Sequence, residues 1–335
     1  MRLMRTILSS VAALISSSAL LWAPSASAQT SCELDRPVLF GGMNWESNLV
    51  LVDVERFIIE HGYGCKTSVE PGETVAMLSA LQRGDIDVVA EIWPEQLKYL
   101  WDKALASGNV EGVGHIFDTT EGWYIPRYTQ ERHPELKTAA DLAKFAEVFK
   151  DPEDPSKGRI YGCPPGWTCA NLNGNLLKAL KLDGKYTMFA PGSGPAKKAA
   201  IMSAYKRKRD IVFYYWTPTP VVGSLDLVRL ELPPFNEEAY ACVTDPECQN
   251  PVPTELKAHK AITALNTDFT KQAPQLKTFL SNVNMPNETI AEILGWMENE
   301  GAEPRDTALY FLKKYPDVWK KWIPADAAER VQAAL

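Results

Sequence analysis

Between Pro37 and Ile92 three short apolar runs alternate with two stretches of helical periodicity, and this alternation limits the possible folds more than any other feature. Pro37–Gly42, Lys66–Val69 and Asp87–Ile92 have the length and composition of strands. Asn48–His61, closed by Gly62, and Glu73–Arg83 read as amphipathic helices. Strands joined by helices predict a parallel sheet covered on both faces, with ligands bound outside the carboxyl ends of the strands. The pattern returns later, with strand Gly158–Tyr161, helices Ala170–Leu182 and Ala196–Arg207, and strand Asp210–Trp216. The expected class is therefore α/β, with two lobes that are each a mostly parallel sheet flanked by helices.

The first residues read as an address: Arg2 and Arg5 precede an apolar stretch from Ile7 to Leu21, and Ala26-Ser27-Ala28 is a small-residue cleavage site. A signal peptide over 1–28 implies export to the periplasm and leaves 307 residues, too many for one core by usual scaling. The stiff segment Glu121–Tyr128 suits a crossing, so one lobe is expected from 29–125 with 258–335 and the other from 126–257. Leu232–Glu255 is expected to be irregular, and terminal helices are expected at Gln272–Asn284, Asn287–Glu300 and Arg305–Tyr315. A formal charge of −7, or −9 without Arg2 and Arg5, speaks against a nucleic-acid partner.

All six cysteines survive processing, and an even number in an oxidising compartment suggests disulfides. Of 15 possible connectivities, the two separations of six residues favour Cys163 with Cys169 and Cys242 with Cys248, leaving Cys32 for Cys65. The four histidines show no zinc-ligand spacing.

Four tryptophans fall at predicted strand ends or in a rigid loop. Trp45 follows the first strand, Trp93 the third, Trp216 ends Ile211–Pro218, and Trp167 sits inside Cys163-Pro164-Pro165-Gly166-Trp167-Thr168-Cys169. Indole faces attract quaternary ammonium groups, which cannot donate ordinary N–H hydrogen bonds, at up to about 2 kcal/mol per desolvated contact. Four contacts sum to roughly 8 kcal/mol, a dissociation constant of about 1 μM before opposing costs. Trp123 lies in the crossing, and Trp101, Trp296, Trp319 and Trp322 read as packing residues.

The cysteine-bracketed loop, Phe213-Tyr214-Tyr215-Trp216-Thr217-Pro218 and Trp93 together resemble the periplasmic substrate-binding proteins of ABC importers for glycine betaine, choline and related quaternary amines. The resemblance implies a two-lobed Venus-flytrap fold, a monomer, an ABC permease as partner, and a ligand between Trp45 and Trp93 on one side and Trp167 and Trp216 on the other. Betaine binders of this family place a donor after the first-lobe tryptophan, whereas Pro94, Glu95, Gln96 and Leu97 follow Trp93 here. That departure disfavours betaine as the main ligand, and the resemblance implies trimethylamine N-oxide, with glycine betaine, choline or a sulfonium analogue as alternatives. The resemblance also implies that Glu131 faces the ligand. A carboxyl raised by apolar walls could there share a proton with the N-oxide oxygen.

Asn236, Glu237, Glu238 and Asp245 concentrate oxygen donors near a cysteine pair and suggest a structural calcium loop, although EF-hand spacing is absent. No cofactor is expected for binding. The rival of another class is an exported carbohydrate hydrolase, since aromatic platforms and paired carboxylates also serve glycoside chemistry. Neither a glycine-framed serine nor an HExxH run is present.

Overall fold

Nine strands are joined into one sheet in the computed structural model, which describes residues 32–335; the expected leader over 1–28 lies outside the described residues. The strands are β1 (Val38–Gly42), β2 (Thr67–Pro71), β3 (Val88–Ile92), β4 (Val110–Pro126), β5 (Gly158–Tyr161), β6 (Tyr186–Phe189), β7 (Val212–Thr217), β8 (Leu227–Arg229) and β9 (His259–Asn266). Their order is β2-β1-β3-β9-β4-β7-β5-β6, with β8 on β4. The expected crossovers are parallel, β1 with β2 and β3 and β5 with β7, and β6, a strand the sequence did not lead us to expect, is parallel to β5. The strands in the middle are antiparallel, β9 on β3 and β4 on β9 and β7, so the architecture is mixed.

β4 is the longest strand, at 17 residues. Through Thr119 it pairs with β9, and from Thr120 it pairs with β7 and then β8. One continuous strand thus belongs to both parts of the sheet, and the partner changes six residues before the expected boundary at 125.

Helix Glu46–Gly62 buries Val50, Leu51, Val54, Ile58 and Ile59 in the first core. Each such side chain contributes about 1.5–3 kcal/mol on full burial. Among the described residues no helix is long and apolar enough to cross a membrane. All three disulfides pair as the spacing suggested. Trp319 is fully buried and Trp296 stacks on Tyr310 with ring centroids 4.1 Å apart, so both are packing residues.

The segment expected to be irregular contains helix Glu237–Thr244. Asn236 caps it by accepting the backbone N–H of Ala239, while Tyr240 and Val243 are buried. Capping and two buried side chains outweigh the surrounding prolines and acids. This geometry lends the calcium expectation no support. Asn236 is committed to the cap, Asp245 accepts the backbone N–H of Glu247, and Glu237 and Glu238 are exposed in the first helical turn. Among the described residues no group of three or more His, Cys, Asp or Glu could hold a metal ion.

Candidate functional site

The carboxyl ends of β1, β3 and β7 and the Cys163–Cys169 loop meet at one narrow cavity lined largely by aromatic side chains. All four singled-out indoles line it: Trp45, Trp93, Trp167 and Trp216. Trp45 and Trp167 meet edge to face at 5.2 Å, Trp167 and Trp216 at 5.5 Å, and Trp93 and Trp216 at 6.2 Å. Such edge-to-face contacts hold the four rings in one cluster, and the face of an indole attracts a cation.

Each ring is fixed by its own piece of backbone. Trp45 immediately precedes helix Glu46–Gly62, and the turn before it is held by the Met43 N–H donating to the Asn48 side chain at 2.8 Å. Trp216 and Tyr214, two apart on β7, both line the cavity, while Tyr215 stacks flat on Trp216 at 4.5 Å. Trp167 sits in the disulfide loop and donates its indole N–H to Asn44 at 3.2 Å. Two glycines permit that approach. Gly166 has a φ of +87°, and a Cβ there would lie 2.8 Å from the Glu73 side chain; a Cβ at Gly194 would lie 2.6 Å from the carbonyl oxygen of Asn44.

Glu91, in the apolar run before Trp93, is the carboxylate of this site. One of its oxygens accepts the indole N–H of Trp45 at 3.0 Å and of Trp93 at 2.8 Å. The other is buried without a partner. Burial pushes the Glu91 carboxyl up to about 7, against the hydrogen bonds from Trp93, Ser47 and Trp45 that favour its ionised form. Glu91 lies within the predicted strand Asp87–Ile92 and was assigned no role from the sequence. The available signal was an acid in the middle of a buried strand, two positions before a strand-end tryptophan.

Glu131 is placed elsewhere. It is exposed on helix Arg127–Arg132 and lines a separate groove with Arg127, Lys137 and Arg229. Pro126, which starts that helix, is five extended residues beyond Glu121, a run of roughly 17 Å, so β4 carries Glu131 away from the indoles. Trp123 is fully buried and donates to Asn173 without lining the cavity.

A buried polar chain closes the remaining side. The Thr168 hydroxyl donates to Gln96 at 2.6 Å, and the Gln96 amide donates to Glu121 at 2.7 Å and to the Tyr214 hydroxyl at 3.0 Å. Tyr214 donates in turn to Glu121. His259 lies 3.3 Å from Glu121, without hydrogen-bond alignment, and 5.6 Å from the Trp93 ring. Among the described residues no Lys or Arg lines the cavity, which joins aromatic side chains to neutral donors and one acid.

Residues 36–314 match the family described as the substrate binding domain of ABC-type glycine betaine transport system. The chain is 24% identical over 293 residues to the trimethylamine N-oxide-binding protein of Pelagibacter ubique, covering 85% of this chain and 90% of that one. It is 28% identical over 188 residues to the glycine betaine/proline betaine-binding periplasmic protein of Escherichia coli, covering 54% and 56%. Its fold is similar to that of an ABC-transporter choline binding protein in complex with choline, with a TM-score of 0.72, 20% identity, and coverage of 89% and 97%.

Proposed function

This chain belongs to the family of substrate-binding domains of ABC-type glycine betaine transport systems, and on that premise we propose that it captures trimethylamine N-oxide in the periplasm for an ABC permease. It is a quaternary-amine binding protein, not an enzyme. The observation that carries the ligand reading is the four-indole cavity, together with the absence of a lysine or arginine among its lining residues. The trimethylated nitrogen would rest against the faces of Trp45, Trp93, Trp167 and Trp216. The N-oxide oxygen needs only neutral donors. Trp216 offers one, since its indole N–H is buried without an acceptor. Glu91, rather than Glu131, would supply the shared proton from its unpartnered oxygen. The likeness to the trimethylamine N-oxide-binding protein supports this choice.

The lobes 29–125 with 258–335 and 126–257 are proposed to close on the ligand by hinge motion, pivoting where β4 changes partner. Glycine betaine is the second reading, supported by Thr168 and Cys169, which line the cavity where the loop enters helix Cys169–Ala179. Backbone N–H groups at such a helix start can hold a carboxylate. Calorimetric titration with trimethylamine N-oxide, glycine betaine, choline, carnitine and dimethylsulfoniopropionate tests the assignment. Trimethylamine N-oxide should bind most tightly and change indole fluorescence. Tighter binding of betaine would reverse the ranking, and no binding of any of them would remove the reading.

A further inference from the structure

Glu91 is fully buried near the carboxyl end of β3 and lines the tryptophan cavity. One of its oxygens accepts the indole N–H groups of both Trp45 and Trp93, so two walls of the aromatic box hang from one carboxyl group, and the other oxygen has no partner in the protein. Of the titratable groups on the surrounding elements, Glu46 pairs with Lys198, Glu73 accepts from Asn44, and Glu121 accepts from Gln96 and Tyr214. Glu55 is buried with both oxygens unpartnered, and His259 lies beside Glu121. Lys197 lies 4.7 Å from the ring centroid of Tyr214, where burial favours its neutral amine. None of these charges enters the balance at Glu91: burial alone holds its carboxyl at about 7, against hydrogen bonds that favour the ionised form.

We propose that the protonation state of Glu91 selects which class of methylated onium the cavity holds: the acid takes oniums that carry their own negative oxygen, and the carboxylate takes permanent cations. The inference rests on the methylated-amine reading above and deepens it. A buried carboxylic acid is a hydrogen-bond donor, suited to the oxygen of an N-oxide or a betaine. Ionisation removes that donor and sets a like charge in its place. Tetramethylammonium has no atom to accept the proton, yet it can serve as counter-ion to a buried carboxylate that is otherwise unpaired and costly. The indole faces serve both classes, since their attraction for the methylated head needs no oxygen. Binding an N-oxide therefore holds the proton on Glu91, and its affinity is highest below about 7 and falls above it. Binding a permanent cation expels the proton, so that affinity rises through the same range.

The test is calorimetric titration of the wild-type protein with trimethylamine N-oxide and with tetramethylammonium at about pH 6 and about pH 8. Between the two, N-oxide affinity should fall several-fold, to a limit of about tenfold, and tetramethylammonium affinity should rise by a similar factor. In Glu91→Gln, whose amide still donates and cannot ionise, both affinities should become independent of pH. Parallel pH profiles of the two compounds in the wild type would overturn the proposal without any variant. Opposed profiles that persist in folded Glu91→Gln would also overturn it, because another group such as His259 would then carry the dependence. Failure of the wild type to bind either compound or glycine betaine at both pH values would instead remove the methylated-amine reading itself.

Discussion

Two loops of this chain are closed by disulfides of the same sequence separation, six residues, and they differ in almost everything else. Cys163–Cys169 is buried, carries Trp167 into the cavity, and reaches across to Asn44 through the indole N–H and to Val75 through the Gly166 carbonyl. Cys242–Cys248 lies at the end of a surface helix, with Pro246 and Glu247 exposed and its polar groups engaged in local capping. The covalent device is the same. What separates the loops is the side chain at the tip and the surface it lands on, so a cysteine spacing identifies a rigid loop and leaves its use undecided.

The largest effect should come from removing the inner tip. Trp167→Ala loses one cation–π contact and the edge-to-face contacts with Trp45 and Trp216, which together should weaken trimethylamine N-oxide binding on the order of a hundredfold. Glu247→Ala in the outer loop should leave calorimetric affinity within about twofold. Similar losses in both variants would erase the distinction between the loops.

Glu91 sharpens the comparison from below the rings. Its folded pKa, about 7, exceeds the ordinary glutamate value of about 4.5, so the folded state holds this proton more tightly than the unfolded chain. The associated stability is fully present below the unfolded value and is lost as pH rises through about 7. Relative to Glu91→Gln, the unliganded wild type should lose about 3 kcal/mol across that window. Denaturant titrations across the window measure this, and parallel wild-type and variant curves would contradict it. No comparable pH dependence is expected from the outer loop.

Opening either disulfide by paired Cys→Ser substitution should cost about 2 kcal/mol, since loop length is equal. Only Cys163→Ser with Cys169→Ser should also weaken ligand binding, by roughly tenfold, because Trp167 gains freedom that closure must remove. Equal affinity losses from the two pairs would show that loop rigidity acts globally. The smallest effect should be that of calcium. Melting temperatures with calcium and with a chelator should coincide, and a rise of several degrees with calcium would return the outer loop to the metal reading.

Much of this arrangement was legible because it depends on local pattern. β1, β3, β5 and β7 show as apolar runs, and strand ends in an α/β sheet are where ligands gather, so the four tryptophans could be assigned to one place before their distances were known. The remainder depends on partners far apart in sequence. Glu91 looks like an interruption in a strand until Trp45, 46 positions earlier, donates to it. Lys197 looks like one of many helix lysines until β7 covers it with rings. Glu131 is close in sequence to residues of the site, yet β4 extends straight past the cavity, and a continuous strand gives no local sign of where it leaves a neighbourhood.

Gly194 sets how closely helix Gly194–Lys206 can approach Asn44, and under the proposed lobe closure this would govern how long a ligand stays captured. A methyl group at that position would press on the Asn44 carbonyl at 2.6 Å, and a backbone oxygen has little room to yield. Such a protein would still recognise its guest while sitting slightly ajar, and escape would become faster without any loss of chemical selectivity. The importer would then meet a receptor that finds its ligand and fails to keep it.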